Sequence, residues 1–113
     1  MQKMVIFLLP ILLVGIGQIR FWDEYVRVGQ ELQLHVNVVN DKPYDLDDFR
    51  VKVHIFGLTW LSSNTFDIDD HDNVGLWFYY LIPKNTKKGD YLVKITASNE
   101  DFKDTEYRFI TVV

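Results

Sequence analysis

From Gln18 onward apolar and polar residues alternate with a period of two. That is the spacing of a strand with one face in a core and the other in water. In ELQLHVNVVN, Leu32, Leu34, Val36 and Val38 fall on one side and Gln33, His35 and Asn37 on the other. FRVKVHIFG repeats the pattern, with Phe49, Val51, Val53 and Ile55 set against Arg50, Lys52 and His54. YLVKITASN gathers Tyr91, Val93, Ile95 and Ala97, with Lys94, Thr96 and Ser98 on the reverse. In TEYRFITVV, Tyr107 and Phe109 lie opposite Arg108. The polar segments VRVGQE, NDKPYDLDD, DDHDNVG and KNTKKGD punctuate these runs. Turn chemistry at intervals of about 8–12 residues predicts an all-β fold, an antiparallel sandwich of about seven strands.

One stretch breaks the alternation. Every residue from Leu76 to Ile82 in LWFYYLIP is apolar or aromatic. Two readings stay open: a central strand covered on both faces, or a strand whose outward tyrosines keep their hydroxyls in water.

The opening MQKMVIFLLPILLVGIG has a different character, with Lys3 ahead of an apolar run from Met4 to Ile16. A basic lead, a short apolar segment and the small residues Gly15 and Gly17 fit a signal peptide cleaved before Gln18. The run is shorter than the ~20 residues that span a bilayer, and Pro10 interrupts a helix. Residues 1–17 are therefore expected to be a signal peptide or hydrophobic anchor, followed by a domain over 18–113. A filament-core segment and a core strand of the domain itself are the alternatives.

At 113 residues and 48% hydrophobic composition there is material for one domain with its own core. A net charge of −4 without a Lys/Arg stripe argues against nucleic acid as a partner. Cysteine is absent, which removes disulfides, thiolate metal sites and cysteine nucleophiles. For an exported domain, that absence fits a microbial envelope.

IPKNTKKGDYLVKITAS resembles the closing part of the immunoglobulin-like repeats of archaeal surface-layer and other envelope proteins, relatives of CARDB-type and fibronectin-like sandwiches. NVVNDKPYDLDDFRVKVHI is similar to an earlier signature of the same group, an asparagine-ended strand, an acidic loop and a strand opening on F-R-V. The resemblance spans roughly residues 19–113 and implies an immunoglobulin-like sandwich at the cell surface or secreted. Within it Pro83, Gly89 and Tyr91 form a structural corner. Proline fixes the exit from one strand, glycine takes a backbone angle others resist, and the tyrosine hydroxyl bonds upstream backbone. Val36 and Val93 take the place of the antibody disulfide, and Val51, Val53 and Ile55 that of its tryptophan.

Candidate chemistry is sparse. FDIDDHDNVG packs Asp67, Asp69, Asp70 and Asp72 closely, and dense aspartates can supply the oxygens that calcium requires, yet the EF-hand pattern is unmet. His35 and His54 sit on the polar faces of separate strands, where neighbouring rings can pick up zinc adventitiously. Ser62, Ser63 and Ser98 lack a nucleophile elbow. The aromatics Phe21, Trp22, Tyr25, Phe56, Trp60, Trp77 and Tyr80 exceed what a small core needs, and form a candidate surface for a neighbouring subunit or a glycan. The expected function is non-catalytic and structural or adhesive: an S-layer-like or filament-associated subunit that self-associates or binds other envelope proteins. An extracellular glycan or calcium module and a pilin-like subunit retaining its apolar lead are the alternatives. The membrane is met only through residues 1–17, if they are kept.

Overall fold

The computed structural model describes residues 13–113. All nine elements are strands: β1 (Val14–Phe21), β2 (Tyr25–Val26), β3 (Glu31–Asn40), β4 (Leu46–Ile55), β5 (Thr59–Ser62), β6 (Phe66–Ile68), β7 (Asp72–Leu81), β8 (Gly89–Ser98) and β9 (Lys103–Val112). Seven of them have four or more residues. A small sheet runs β1-β3-β7, and a large one runs β2-β9-β8-β4-β5, with β6 also paired to β4. Among the described residues only the short β2–β9 pairing is parallel. Strands β1, β3 and β7 correspond to A, B and E of the immunoglobulin fold, and β4, β8 and β9 to C, F and G.

The alternation places the core where period two requires. Leu32, Leu34, Val36 and Val38 of β3 meet Phe49, Val51, Val53 and Ile55 of β4 and Val93, Ile95 and Ala97 of β8, all buried. Hiding a Val, Leu, Ile or Phe side chain from water contributes about 1.5–3 kcal/mol. Within this layer Val36 and Val93 are fully buried.

β9 keeps its alternation but turns the aromatic side outward. Its buried residues are Ile110 and Val112, while Tyr107 and Phe109 stand exposed. Register explains the choice, because Val93 lies opposite Arg108 and Ile95 opposite Glu106, so Arg108 and Glu106 lie on the inner side. The small sheet has fewer strands than the large one. At this margin Arg108 and Glu106 pair at 3.3 Å, each near half-exposed. The uniformly apolar Leu76–Ile82 segment forms the second half of β7, an edge strand, and runs one residue past its end. Phe78 is buried there, while Trp77, Tyr79 and Leu81 face solvent.

Three polar devices hold the ends together. Asn40, the buried polar residue, donates from Nδ2 to the carbonyls of Tyr44, Ile68 and Asp69 at 2.9–3.2 Å and accepts from the Lys42 N–H at 2.9 Å. It thereby clamps the last residue of β3 to the following loop and to β6. Asp104 of β9 reaches across to β1, its Oδ2 accepting from the Ile16 N–H at 2.9 Å. A Cβ on Gly15 would lie 2.6 Å from Asp104, so the two sheets approach this closely only at glycine. At the opposite end the Tyr91 hydroxyl donates to the Lys87 carbonyl. Pro83 opens the turn that the Thr86 N–H closes at 3.0 Å, and Gly89 begins β8 at φ +143°, a conformation side chains resist.

The expected boundary before Gln18 runs through β1, which starts at Val14 and contributes Ile16 to the core. The remainder of the apolar lead, residues 1–12, lies outside the described residues.

Candidate interaction surfaces

Alternation that fills a core also fixes what each sheet shows to water. On the small sheet's outer side the register aligns Arg20, His35 and Trp77 in one row. The next row holds Trp22, Gln33 and Tyr79, with Trp22 tied to β3 by its N–H on the Gln33 carbonyl at 3.0 Å. Glu31 and Leu81 follow. Trp22, Trp77, Tyr79 and Leu81 are 79, 49, 53 and 62% exposed. Arg20, His35 and the two tryptophans line a cleft. His35 lies against Trp77, centroids 4.8 Å apart and tilted by 53°, and Trp77 stacks on Tyr79 at 6.2 Å. The imidazole occupies the space above Gly75, where a Cβ would meet Nε2 at 2.7 Å. Residue 75 must be small for this row to close.

The large sheet's outer side is built differently. Its rows are Trp60, His54, Lys94 and Tyr107, then Ser62, Lys52, Thr96 and Thr105, then Arg50, Ser98 and Lys103. A tight turn makes the first row: Gly57 at φ +83° lets the chain reverse between β4 and β5, pairing Ile55 with Thr59 and His54 with Trp60. The His54 and Trp60 rings stack 3.6 Å apart and nearly parallel at 11°, and Phe56 lies 4.0 Å from the same imidazole. Leu92 and Phe109 continue the apolar end of this face. Among the described residues the one ion pair is Arg108–Glu106, so Arg50, Lys52, Lys94 and Lys103 have no carboxylate partner.

The seven aromatics expected to share one surface are distributed over several. Trp22 and Trp77 share the small sheet's face; Phe56 and Trp60 share the large one. Phe21 and Tyr80 pack part-buried against the core. Tyr25 is exposed on the short β2, beside Thr111. His35 and His54 belong to different sheets, so the architecture separates the rings.

The aspartates act as turn-makers. Asp67 accepts from the Asp48 N–H at 3.1 Å, at a bulge where Asp48 takes φ +57°. The Asp70 N–H is held by Asp45 at 2.9 Å, and Asp72 accepts from its neighbour Asn73 at 2.8 Å. Asp69 offers its carbonyl to Asn40 and to the Asp72 N–H. Among the described residues no three His, Cys, Asp or Glu side chains converge as a metal would need. The Ser62 and Ser63 hydroxyls donate to main-chain carbonyls at 3.1 and 2.8 Å.

Sequence reasoning named His54 and Trp60 separately without pairing them, and did not single out Asn40. The His54–Trp60 stack was readable from HIFGLTW, because a reversal centred on Gly57 brings together residues three before and three after it. Asn40 gives no such signal, since its partners come from segments distant in sequence.

No family model matches this chain, and no curated protein matches it in sequence. Solved structures do. The CARDB domain of a Pyrococcus furiosus protein, in complex with di-metal ions, is 19% identical over 84% of each chain, with a TM-score of 0.70. Its solution structure is 20% identical, covering 84% of this chain and 90% of that one, with a TM-score of 0.68. A family 123 glycoside hydrolase from Clostridium perfringens matches over 81% of this chain but only 22% of its own length, at 14% identity and a TM-score of 0.68. At these identities the likeness is one of fold. The chain is an immunoglobulin-like sandwich with the fold of the CARDB domain.

Proposed function

We propose that this chain is a non-catalytic module of the cell envelope that works by association, with a second copy bound to the outer face of the small sheet. One observation carries the reading: Trp22, Trp77, Tyr79 and Leu81 form an apolar face that the described residues leave in water. Contiguous exposed surface of this kind marks contact sites, and covering it contributes roughly 25 cal/mol per Å². The formal charges among the strand residues of this face, Arg20 and Glu31, have opposite signs, so two copies related by a two-fold axis meet without net repulsion. A non-catalytic role is supported by serine hydroxyls committed to main-chain carbonyls and by histidines held apart on separate sheets.

The apolar lead ahead of β1 supports export to the cell surface. The Gly15–Asp104 contact supports keeping residues 14–17 in the mature domain, with any cut falling earlier. Intact mass of the native protein tests this, because loss of Gly15 and Ile16 contradicts it. Sedimentation tests the association: wild type is expected as a dimer at tens of micromolar, and Trp22→Ser/Trp77→Ser as a monomer. A wild-type monomer at every concentration overturns the reading.

A further inference from the structure

We propose that the outer face of the large sheet binds a carboxylated polysaccharide, a chain of uronic acid units, in the groove between Trp60 and the β8–β9 hairpin. The inference goes beyond self-association and uses the other face of the sandwich.

Charge is the first argument. Arg50, Lys52, Lys94 and Lys103 cluster on adjacent strands of one face in a protein whose net charge is −4. Neighbouring strands stand about 4.8 Å apart and like-facing residues about 6.8 Å apart along a strand, so these cations fall within one or two Debye lengths of each other. No carboxylate of the described residues pairs with them. Folding gains nothing from such a group of like charges, whereas a polyanion is attracted to all four.

The second argument concerns the shape of the partner. A groove of about 460 Å³ is lined by Lys52, His54, Trp60, Lys94, Thr96 and Lys103, with Glu100 and Asp101 on its hairpin rim. His54 covers one side of the Trp60 indole and holds the ring, which is 66% exposed. A pre-positioned aromatic surface matches the C–H side of a sugar ring. Thr96 and Thr105, with hydroxyls 3.4 Å apart, and Ser98 and Asn99 supply donors and acceptors for sugar hydroxyls. Cations, a fixed indole and a row of hydroxyls are together the chemistry of a uronate, which carries a carboxylate, an apolar ring face and hydroxyls. A single-stranded nucleic acid shares the charge and stacking. Its phosphates, however, stand away from the base that would stack, whereas a uronate carries carboxylate, ring face and hydroxyls on one unit, as Lys94, Trp60 and Thr96 share one groove.

The test is calorimetric titration of the full chain, in mild detergent, with hexagalacturonate. The neutral control is cellohexaose, and a single-stranded DNA dodecamer is the anionic one. Hexagalacturonate is expected to bind, and raising NaCl from about 50 to about 500 mM is expected to weaken it at least about fivefold. Lys52→Glu/Lys94→Glu and Trp60→Ala are each expected to lose about tenfold or more with circular dichroism unchanged, while Trp22→Ser/Trp77→Ser binds as wild type. Silence toward hexagalacturonate by folded protein overturns the proposal. So do equal binding of cellohexaose, tighter binding of the DNA, or indifference to all three large-sheet substitutions. Because dimerisation is read from the opposite face, failure here leaves the association untouched, and the reverse holds.

Discussion

The two outer faces of this sandwich share one local design and differ in what surrounds it. Each sets a histidine against a tryptophan, His35 beside Trp77 and His54 beside Trp60. On the small sheet the neighbours are Gln33, Tyr79 and Leu81, and formal charge nearly cancels. On the large sheet they are Lys52, Lys94 and a row of hydroxyls, and positive charge accumulates. The ring geometry follows the backbone beneath. Trp60 comes from a tight reversal and stacks almost flat, whereas His35 and Trp77 face each other on adjacent strands and meet at an angle, over a glycine. An exposed aromatic pair therefore does not declare its partner; the electrostatics around it does. A neutral aromatic face suits a copy of itself, and a cationic one suits an anion.

Both faces depend on a common scaffold, and the largest expected effect comes from removing part of it. Asn40→Ala strips one fully buried amide from four hydrogen bonds and leaves three carbonyls and an N–H to find other partners. A loss of about 2–3 kcal/mol is expected, on the order of 10 °C in melting temperature for a domain of this size. Because Asn40 joins β3 of one sheet to β6 of the other, dimerisation and uronate binding should decline together on warming. Unchanged thermal unfolding would show that the clamp is dispensable.

Asp104→Ala separates the two faces. Its carboxylate holds the Ile16 N–H of β1, an edge strand of the small sheet, and β1 carries Arg20 and leads into Trp22. A loss of about 1–2 kcal/mol is expected from this charge-assisted bond. Dimerisation should weaken, while hexagalacturonate affinity stays within about twofold of wild type. Equal damage to both activities would mean that the faces are coupled through the core.

The strands were legible in the sequence because a period of two survives any neighbour. Phe49, Val51, Val53 and Ile55 read as one buried side from FRVKVHIFG alone, and all four are buried. β9 shows where that reading stops. TEYRFITVV separates Tyr107 and Phe109 from Arg108, but which side meets the core depends on how far the opposing sheet extends, and no local pattern carries that. The same limit applies to the basic face. Arg50, Lys52 and Lys94 could each be placed on a polar side, yet their gathering depends on β4 pairing with β8, a contact between residues 38 to 48 positions apart. The aspartates meet a related limit, since a dense run of carboxylates looks alike whether it holds an ion or caps its own turns.

The smallest expected effects are on stability, and they bear on why the aromatics are there. Trp60→Ser removes a side chain that is 66% exposed and touches mainly the neighbouring imidazole. Trp77→Ser removes one that is 49% exposed and lies between His35 and Tyr79. Substitutions of this kind away from the core shift stability by roughly 0.5 kcal/mol, with Trp77 the costlier because more of its surface is covered. Denaturant melts of the isolated single variants, below the concentration at which dimers form, read this directly. If either indole costs more than about 1.5 kcal/mol, well above the usual surface range, it belongs to the fold and its face loses the claim to a partner. If both cost little, the chain keeps two large apolar rings in water for reasons that folding does not supply, which leaves contact with something outside the domain as their physical role.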